Sequence, residues 1–161
     1  LYPEIESRLH DELVRNYRQH YLATAIGNTV LFPRVESTLK KLLGQGYQLA
    51  VATGKSRRGL DRAFQETRVR KYFQVSRCAD ETFSKPHPQM LYEIMELLDT
   101  PPEETIMVGD SEHDLQMAAN AGVSSIAVSY GAQALERLLE FNPQTGIHCL
   151  SELPEWLMNT Q

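Results

Sequence analysis

The chain has 161 residues, of which 42% are hydrophobic, so it can bury the core of one compact domain. Its 16 basic and 21 acidic side chains give a net charge of −5, which provides no general attraction to nucleic acids or anionic membranes. Cys78 and Cys149 do not form a zinc or disulfide motif, and neither a membrane span nor a signal-peptide pattern occurs. We therefore expect a cytoplasmic protein without nucleic-acid or membrane partners, and the sequence leaves its oligomeric state open.

The first part of the chain has the apolar spacing of an amphipathic helix. Over residues 3–25, apolar side chains recur at steps of three and four positions, which predicts a helix with one buried stripe. Gly27 then interrupts this pattern, and a second helix is expected at residues 35–43. The change of pattern predicts a domain boundary within residues 26–33.

The rest of the chain alternates between strand and helix patterns. Apolar, partly β-branched runs predict buried strands at residues 47–52, 73–78, 105–108 and 123–128. Segments with helical spacing lie between these runs, at residues 58–66, 88–98 and 113–121. A short strand at residues 147–150 and a helix at residues 152–158 are expected to end the chain. This alternation predicts an α/β fold with a parallel sheet.

Two carboxylates follow the third predicted strand of this sheet. Gly109 and Asp110 come at its end, and Asp114 lies near the start of the next helix. Acidic residues often cap helix starts, but two acids at the end of a buried strand repel each other unless a cation lies between them. The spacing therefore favours a Mg²⁺ site, with Asp110 as a direct ligand and Asp114 behind it.

Other polar groups follow the first two predicted strands. Thr53 and Gly54 combine a hydroxyl group with backbone amides before a helix, where an anionic phosphate is stabilised. Lys85 precedes Pro86 and a helix, so its ammonium group is held in a defined place. Alone, such a threonine is typical of a turn and such a lysine of a surface. Together with Asp110 they predict a site for a phosphoryl group and Mg²⁺.

In this order and spacing, Thr53, Lys85 and residues 109–114 resemble the second, third and fourth motifs of the haloacid dehalogenase superfamily. Four longer segments are similar to its phosphoglycolate-phosphatase-like branch, namely residues 31–33, 52–56, 78–88 and 129–131. The resemblance implies a doubly wound, Rossmann-like core at residues 29–161 and the remnant of a helical cap at residues 1–28.

The resemblance also implies an activity and a role for each candidate residue. The family member would be a Mg²⁺-dependent phosphomonoesterase that acts on a small phosphorylated metabolite through an aspartyl-phosphate intermediate. Thr53 and Lys85 would be catalytic, and together with Gly54 they would bind phosphate. Asp110 would bind the metal, and Asp114 would support it without direct contact.

The first motif of the family, Asp-x-Asp-x-Thr on a central strand, has no counterpart in the 161 residues. In the family this motif supplies the attacking carboxylate, and its strand lies between the strands that end here at Thr53 and Asp110. We therefore expect the nucleophile and the central strand to lie outside this chain and the chain alone to be inactive. For the same reason, we expect no hydrogen-bonded ladder between residues 48–52 and 105–109.

Three other functions remain open at this point. A sugar-phosphate mutase of the same fold would transfer phosphate to a second sugar instead of to water. A non-catalytic module would keep the phosphate-binding groups without the chemistry. A two-component response regulator matches less well, because its acid pair and phosphoacceptor aspartate occur in a different chain order. An Asp-x-Asp-x-Thr segment upstream would favour the enzyme over the binding module.

Overall fold

The structure, a computed structural model, describes residues 29–160. Within this range helices and strands alternate, as the sequence predicts. The strands are β1 (Ala50–Thr53), β2 (Val75–Cys78), β3 (Ile106–Gly109), β4 (Ser124–Val128) and β5 (Thr145–Ile147). The helices are α1 (Val35–Gly44), α2 (Arg57–Thr67), α3 (Gln89–Leu98), α4 (Glu112–Ala121), α5 (Leu135–Leu139) and α6 (Leu153–Thr160). The helix predicted at residues 3–25 and the cap assigned to residues 1–28 lie outside the described residues.

The strands form two groups of hydrogen-bonded parallel strands, each called a ladder below, namely β1–β2 and β3–β4–β5. β1 pairs with β2, so that Thr53 lies opposite Cys78. β4 lies between β3 and β5, with Gly109 opposite Ala127 and Val128 opposite Ile147. Within residues 29–160 no ladder joins β1 to β3. The topology of this part of the chain agrees with the expected lack of pairing between the strands that end near Thr53 and Asp110.

Helices cover both ladders on two faces. On one face, the fully buried Met90 of α3 and Met117 of α4 belong to a cluster that also contacts Ala52 of β1 and Met107 of β3. The next residue of β3, Val108, points to the opposite face and packs against a second cluster, with members Leu42, Ile126, Ile147 and Leu153. Full burial of each large apolar side chain contributes about 1.5–3 kcal/mol to stability. Because both ladders contact the same cluster, they form one layered α/β unit.

The C-terminal part of the described chain differs from the sequence-based prediction in two places. Helix α5 was not predicted, since it has five residues and its one fully buried side chain, Leu138, gives no periodic pattern. The last strand lies at Thr145–Ile147 instead of residues 147–150. Glu152 accepts a hydrogen bond from the backbone N–H of His148 at 3.2 Å, and the chain turns there instead of extending. No helix within residues 29–160 has the length and apolar character needed to cross a bilayer.

Candidate active site

The predicted site residues lie at the carboxyl ends of β1 and β3, and Lys85 connects the two ends. Its Nζ donates hydrogen bonds to the carbonyl oxygen of Ala52, at 2.9 Å, and to Oδ1 of Asp114, at 2.5 Å. The side chains of Lys85 and Asp114 are 14% and 6% exposed, so the ion pair is largely buried. One ammonium group therefore links the residue before Thr53 to the helix that follows Asp110.

The turn after β1 is built by two hydroxyl groups. The Oγ1 of Thr53 accepts a hydrogen bond from the backbone N–H of Lys55 at 3.1 Å. Ser56 caps helix α2 by accepting a hydrogen bond from the backbone N–H of Gly59 at 3.2 Å. Gly54 lies exposed between them. Within residues 29–160 the hydroxyl proton of Thr53 has no recorded acceptor, so this group can still donate to a ligand.

The carboxylate of Asp114 is fully engaged by protein groups. Its Oδ1 accepts from Lys85, and its Oδ2 accepts from the backbone N–H groups of Asp110 and Ser111, at 3.2 and 3.1 Å, and from the Ser111 hydroxyl at 2.8 Å. Burial alone would raise its pKa, but Lys85 and these hydrogen bonds hold the pKa below its ordinary value of 3.8. Asp114 therefore stays ionised and orients its neighbours.

Gly109 makes this arrangement possible, because it leaves room for Asp114. A Cβ atom at position 109 would lie 2.3 Å from the Cβ of Asp114, well inside van der Waals contact. The end of β3 and the first turn of α4 thus approach each other more closely than any side chain would allow.

Asp110, in contrast, retains one open carboxylate oxygen. Its Oδ2 accepts a hydrogen bond from the backbone N–H of Ala132 at 2.9 Å, and Oδ1 has no recorded partner among residues 29–160. A single hard oxygen fits Mg²⁺, which is commonly held by one or two carboxylates together with substrate phosphates and water. Within the same residues no three Asp, Glu, His or Cys side chains cluster as metal ligands, so this part of the chain offers one carboxylate toward a metal.

A segment around Gly131 also belongs to the site, although the sequence assigned it no role. The backbone N–H of Gln133 donates to the carbonyl oxygen of Asp110 at 3.2 Å. The side-chain Oε1 of Gln133 accepts from the backbone N–H of Glu112 at 2.7 Å. The only signal in the sequence was the similarity of residues 129–131 to the phosphoglycolate-phosphatase-like branch.

The loop that carries Lys85 is fixed by an ion pair that sequence reasoning missed. Arg57 donates from Nε and Nη2 to the two carboxylate oxygens of Glu81, each at 2.7 Å. The hydrogen bond from Arg57 lowers the pKa of Glu81 to about 2, although burial opposes the shift. Glu81 also accepts from the backbone N–H of Cys78 at 2.9 Å, so this pair holds the start of the loop against the end of β2.

The comparisons with known proteins agree with this fold. The sequence model of the haloacid dehalogenase-like hydrolases matches residues 2–128. The pyrophosphatase PpaX of Bacillus cereus (strain G9842) is 32% identical over 159 residues, an alignment that covers 98% of this chain and 67% of the relative. The PpaX of Bacillus mycoides (strain KBAB4) is 31% identical over 153 residues, which cover 94% of this chain and 64% of the relative. The chain thus spans about two thirds of the length of these relatives.

Solved structures share the same architecture. A predicted phosphoglycolate phosphatase from Haemophilus somnus 129pt has a TM-score of 0.80 at 24% identity, covering 98% of this chain and 69% of the other. A haloacid dehalogenase-like hydrolase from Streptococcus pneumoniae has a TM-score of 0.80 at 22% identity, covering 95% of this chain and 72% of the other. At these identities the structures show a common fold only. The sequence match over residues 2–128 establishes that the chain belongs to the haloacid dehalogenase-like hydrolase family.

Proposed function

We propose that this chain forms the phosphate-binding and metal-binding part of a Mg²⁺-dependent phosphatase. The observation that carries the proposal is the position of Lys85, whose ammonium group contacts the end of β1 and the helix after β3 at once. A cation held at the carboxyl ends of these strands, where Thr53 and Asp110 also lie, suits a phosphoryl group and its metal.

Each residue has a distinct part in this proposal. The hydroxyl of Thr53 and the backbone amide of Gly54 bind phosphoryl oxygens, and Lys85 offsets negative charge during the reaction. Asp110 would hold the metal with its free carboxylate oxygen, and Asp114 keeps both Lys85 and the turn at Asp110 in place. When bound, Mg²⁺ would stabilise charge on the phosphoryl oxygens. The attacking carboxylate comes from outside these 161 residues, and the reaction proceeds through an aspartyl-phosphate.

The substrate is a small phosphorylated compound. Pyrophosphate is the first candidate, since the relatives that are 31–32% identical are named pyrophosphatases. Phosphoglycolate is the second candidate, suggested by the Haemophilus somnus structure, but at 24% identity that similarity shows only the fold. Both compounds are anions, which a protein with a net charge of −5 does not attract as a whole. The local groups at the sheet edge must therefore supply the affinity.

The proposal is tested with the full-length protein that contains this chain and with two matched variants. Phosphate release from pyrophosphate and from phosphoglycolate is measured across a Mg²⁺ titration. Asp110→Asn removes a charged oxygen ligand and should raise the half-saturating Mg²⁺ concentration at least ~10-fold and lower turnover by roughly 100-fold. Asp99→Asn is the control, because Asp99 is exposed and its φ of 49° suits asparagine equally well. It should behave like the wild type.

Other results would select other functions. Turnover that does not depend on Mg²⁺, or an Asp110→Asn variant with unchanged Mg²⁺ dependence, would remove Asp110 from the metal site. Transfer of phosphate to a second sugar would identify a mutase. Binding without turnover by the full-length protein would identify a binding module. Metal-dependent turnover by the 161-residue chain alone would show that a nucleophile lies within it.

A further inference from the structure

We infer that residues 131–133 act as a positioning element that fixes the carboxylate of Asp110 with one oxygen directed to the metal. This inference rests on the proposed function, since it concerns the same metal site, but it assigns a role to residues outside the second, third and fourth motifs of the family. The segment follows β4, whereas Asp110 follows β3, so the contact joins neighbouring strands of one ladder.

The hydrogen bonds around Asp110 leave very little of it free. The backbone N–H of Ala132 donates to Oδ2 at 2.9 Å, and the backbone N–H of Gln133 donates to the Asp110 carbonyl oxygen at 3.2 Å. The N–H of Asp110 itself donates to Asp114 at 3.2 Å. Within residues 29–160 only Oδ1 lacks a recorded partner. Two of these three hydrogen bonds come from the 131–133 segment, which therefore decides which oxygen faces outward.

Gly131 packs directly on the side chain of Asp110. A Cβ atom at position 131 would lie 2.1 Å from the Cβ of Asp110 and 2.3 Å from its Oδ2. The Asp110 side chain is short and its Oδ2 is already hydrogen-bonded, so it cannot yield as the end of a long side chain would. Any residue larger than glycine must displace either Asp110 or the segment itself.

The segment is anchored on both sides, so that it can resist such a displacement. Before it, the backbone N–H of Ser129 donates to the carbonyl oxygen of Ile147 in β5 at 3.0 Å. At its last residue, the side chain of Gln133 accepts a hydrogen bond from the backbone N–H of Glu112, at the start of α4, at 2.7 Å. The ring of Tyr130 packs edge-on against Phe32, with centroids 4.9 Å apart.

A fixed carboxylate binds a cation more tightly than one that must first be ordered, because the entropy of one rotamer has already been lost. The expected effect of disturbing the segment is therefore a loss of Mg²⁺ affinity, measurable without substrate. A purely structural role would lower stability and leave the affinity of the folded protein unchanged.

The test compares three glycine-to-alanine variants of the full-length protein by calorimetric titration with Mg²⁺ alone. Gly131→Ala should weaken Mg²⁺ binding at least ~10-fold, the scale observed when residues that orient metal ligands are lost. Gly146→Ala is the control for crowding. Its new Cβ would lie 2.7 Å from Leu135 Cδ1, and none of the three atoms nearest to it belongs to Asp110. Gly44→Ala controls for the substitution alone, because nothing lies within 4 Å of its new Cβ. Both controls should bind Mg²⁺ within about twofold of the wild type.

A second measurement needs no substitution and covers the case in which Gly131→Ala does not fold. In ¹H–¹⁵N spectra of the wild-type full-length protein, the amide signal of Ala132 should shift during the Mg²⁺ titration with the same midpoint as the heat of binding. The inference would be overturned if the amide signal of Ala132 did not shift at saturating Mg²⁺. It would also be overturned if a folded Gly131→Ala variant bound Mg²⁺ with wild-type affinity. A wild-type protein that binds no Mg²⁺ would instead overturn the proposed function, so the two failures are distinct.

Discussion

At the scale of single residues, the Lys85–Asp114 ion pair has unequal partners. Asp114 receives hydrogen bonds from Ser111 and Asp110 in addition to Lys85, whereas the recorded acceptors of Lys85 are Asp114 and the Ala52 carbonyl oxygen. Removal of the lysine would leave a buried carboxylate without its counter-charge. Removal of the carboxylate charge would leave an ammonium group that still reaches a carbonyl oxygen. Breaking a buried pair in this way is strongly destabilising.

A double-mutant cycle should show this coupling. Lys85→Met should lower the free energy of unfolding by roughly 3 kcal/mol, because a charged group that is 6% exposed loses its cation. Asp114→Asn in the same protein should recover part of that loss, which gives a coupling energy of about 1–3 kcal/mol. The measurement is urea unfolding of the full-length protein, with Lys41→Met, at an exposed position on α1, as the control. Additive effects of the two substitutions would show that the pair does not contribute to stability.

The residues of the candidate site differ in how far the sequence predicts them. Thr53 and Asp110 directly follow apolar runs, so their place at the carboxyl edge of the sheet follows from strand direction alone. Ala132 acts through its backbone N–H, a group that nearly every residue possesses, and its type therefore carries no signal. Arg57 and Glu81 are 24 positions apart, and their pairing depends on tertiary structure that periodicity does not contain.

At the scale of elements, the connection from β2 to α3 is held by two arginine–glutamate pairs. Arg57 on α2 binds Glu81 at its start, and Arg77 on β2 binds Glu93 on α3, with 2.5 Å between Nε and Oε2. Thr82 donates to the same Glu93 at 2.8 Å. The connection carries Lys85, so these contacts set the position from which its side chain reaches the site.

The Arg57–Glu81 pair should contribute stability in a pH-dependent way. The folded protein lowers the pKa of Glu81 from 4.5 to about 2, chiefly through the hydrogen bond from Arg57. When folding lowers the pKa of a carboxyl group, the group's contribution to stability is fully present at pH values above its pKa in the unfolded state. That contribution is lost as the pH falls toward the pKa in the folded state. The wild type should therefore be more stable than Glu81→Gln above pH 4.5, and the difference should shrink as the pH falls toward 2.

Thermal unfolding of both proteins at a series of pH values measures this difference. Glu103→Gln is the control, since Glu103 is exposed and lies in the short Pro102–Glu104 turn. The control should follow the wild type at every pH. A Glu81→Gln variant whose deficit does not change between pH 6 and about pH 2.5 would show that the ion pair has no influence on stability.

The elements themselves were predictable to different degrees. Helix α4 begins at a capping box in which Ser111 and Asp114 bind each other's backbone N–H groups, and it ends at Gly122 with a φ of 71°. Both signals are local and can be read directly from the sequence. The position of strand β5 was predicted incorrectly, because its three residues pair only with β4. Such pairing between distant residues is not visible in the local sequence.

At the scale of the whole molecule, the two ladders raise the question of what lies between them. Adjacent strands are separated by about 4.8 Å, so one inserted strand would separate β1 and β3 by roughly 10 Å. Unpaired backbone groups along such a slot are costly when they are buried. We expect the full-length protein to place a further strand there, paired with both β1 and β3, as the order of the family motifs implies.

Hydrogen exchange can test this expectation. In the 161-residue chain, the backbone amides of β1 and β3 that face away from β2 and β4 should exchange faster than the amides of β4, which has a neighbour on each side. In the full-length protein the same amides of β1 and β3 should become protected, while those of β4 change little. Equal protection in both proteins would show that no strand is added between the ladders.

The alternation of elements and the order of the motifs made the overall architecture predictable from the sequence. The substrate was not, because the groups that bind a phosphoryl group are the same whatever is attached to it. Proteins with different names, including pyrophosphatases and a predicted phosphoglycolate phosphatase, are similar to this chain, so architecture alone does not separate these activities.

The contacts of Lys85 also constrain how this molecule can change over evolutionary time. Its ammonium group binds the Ala52 carbonyl oxygen in one ladder and Asp114 beside the other. A substitution of Lys85 would therefore remove a contact between the two ladders as well as alter the charge of the site. Selection for stability of the fold and selection for phosphate binding would both act on this position and oppose most replacements. Adaptation to new ligands should therefore accumulate in the surrounding residues while Lys85 stays unchanged.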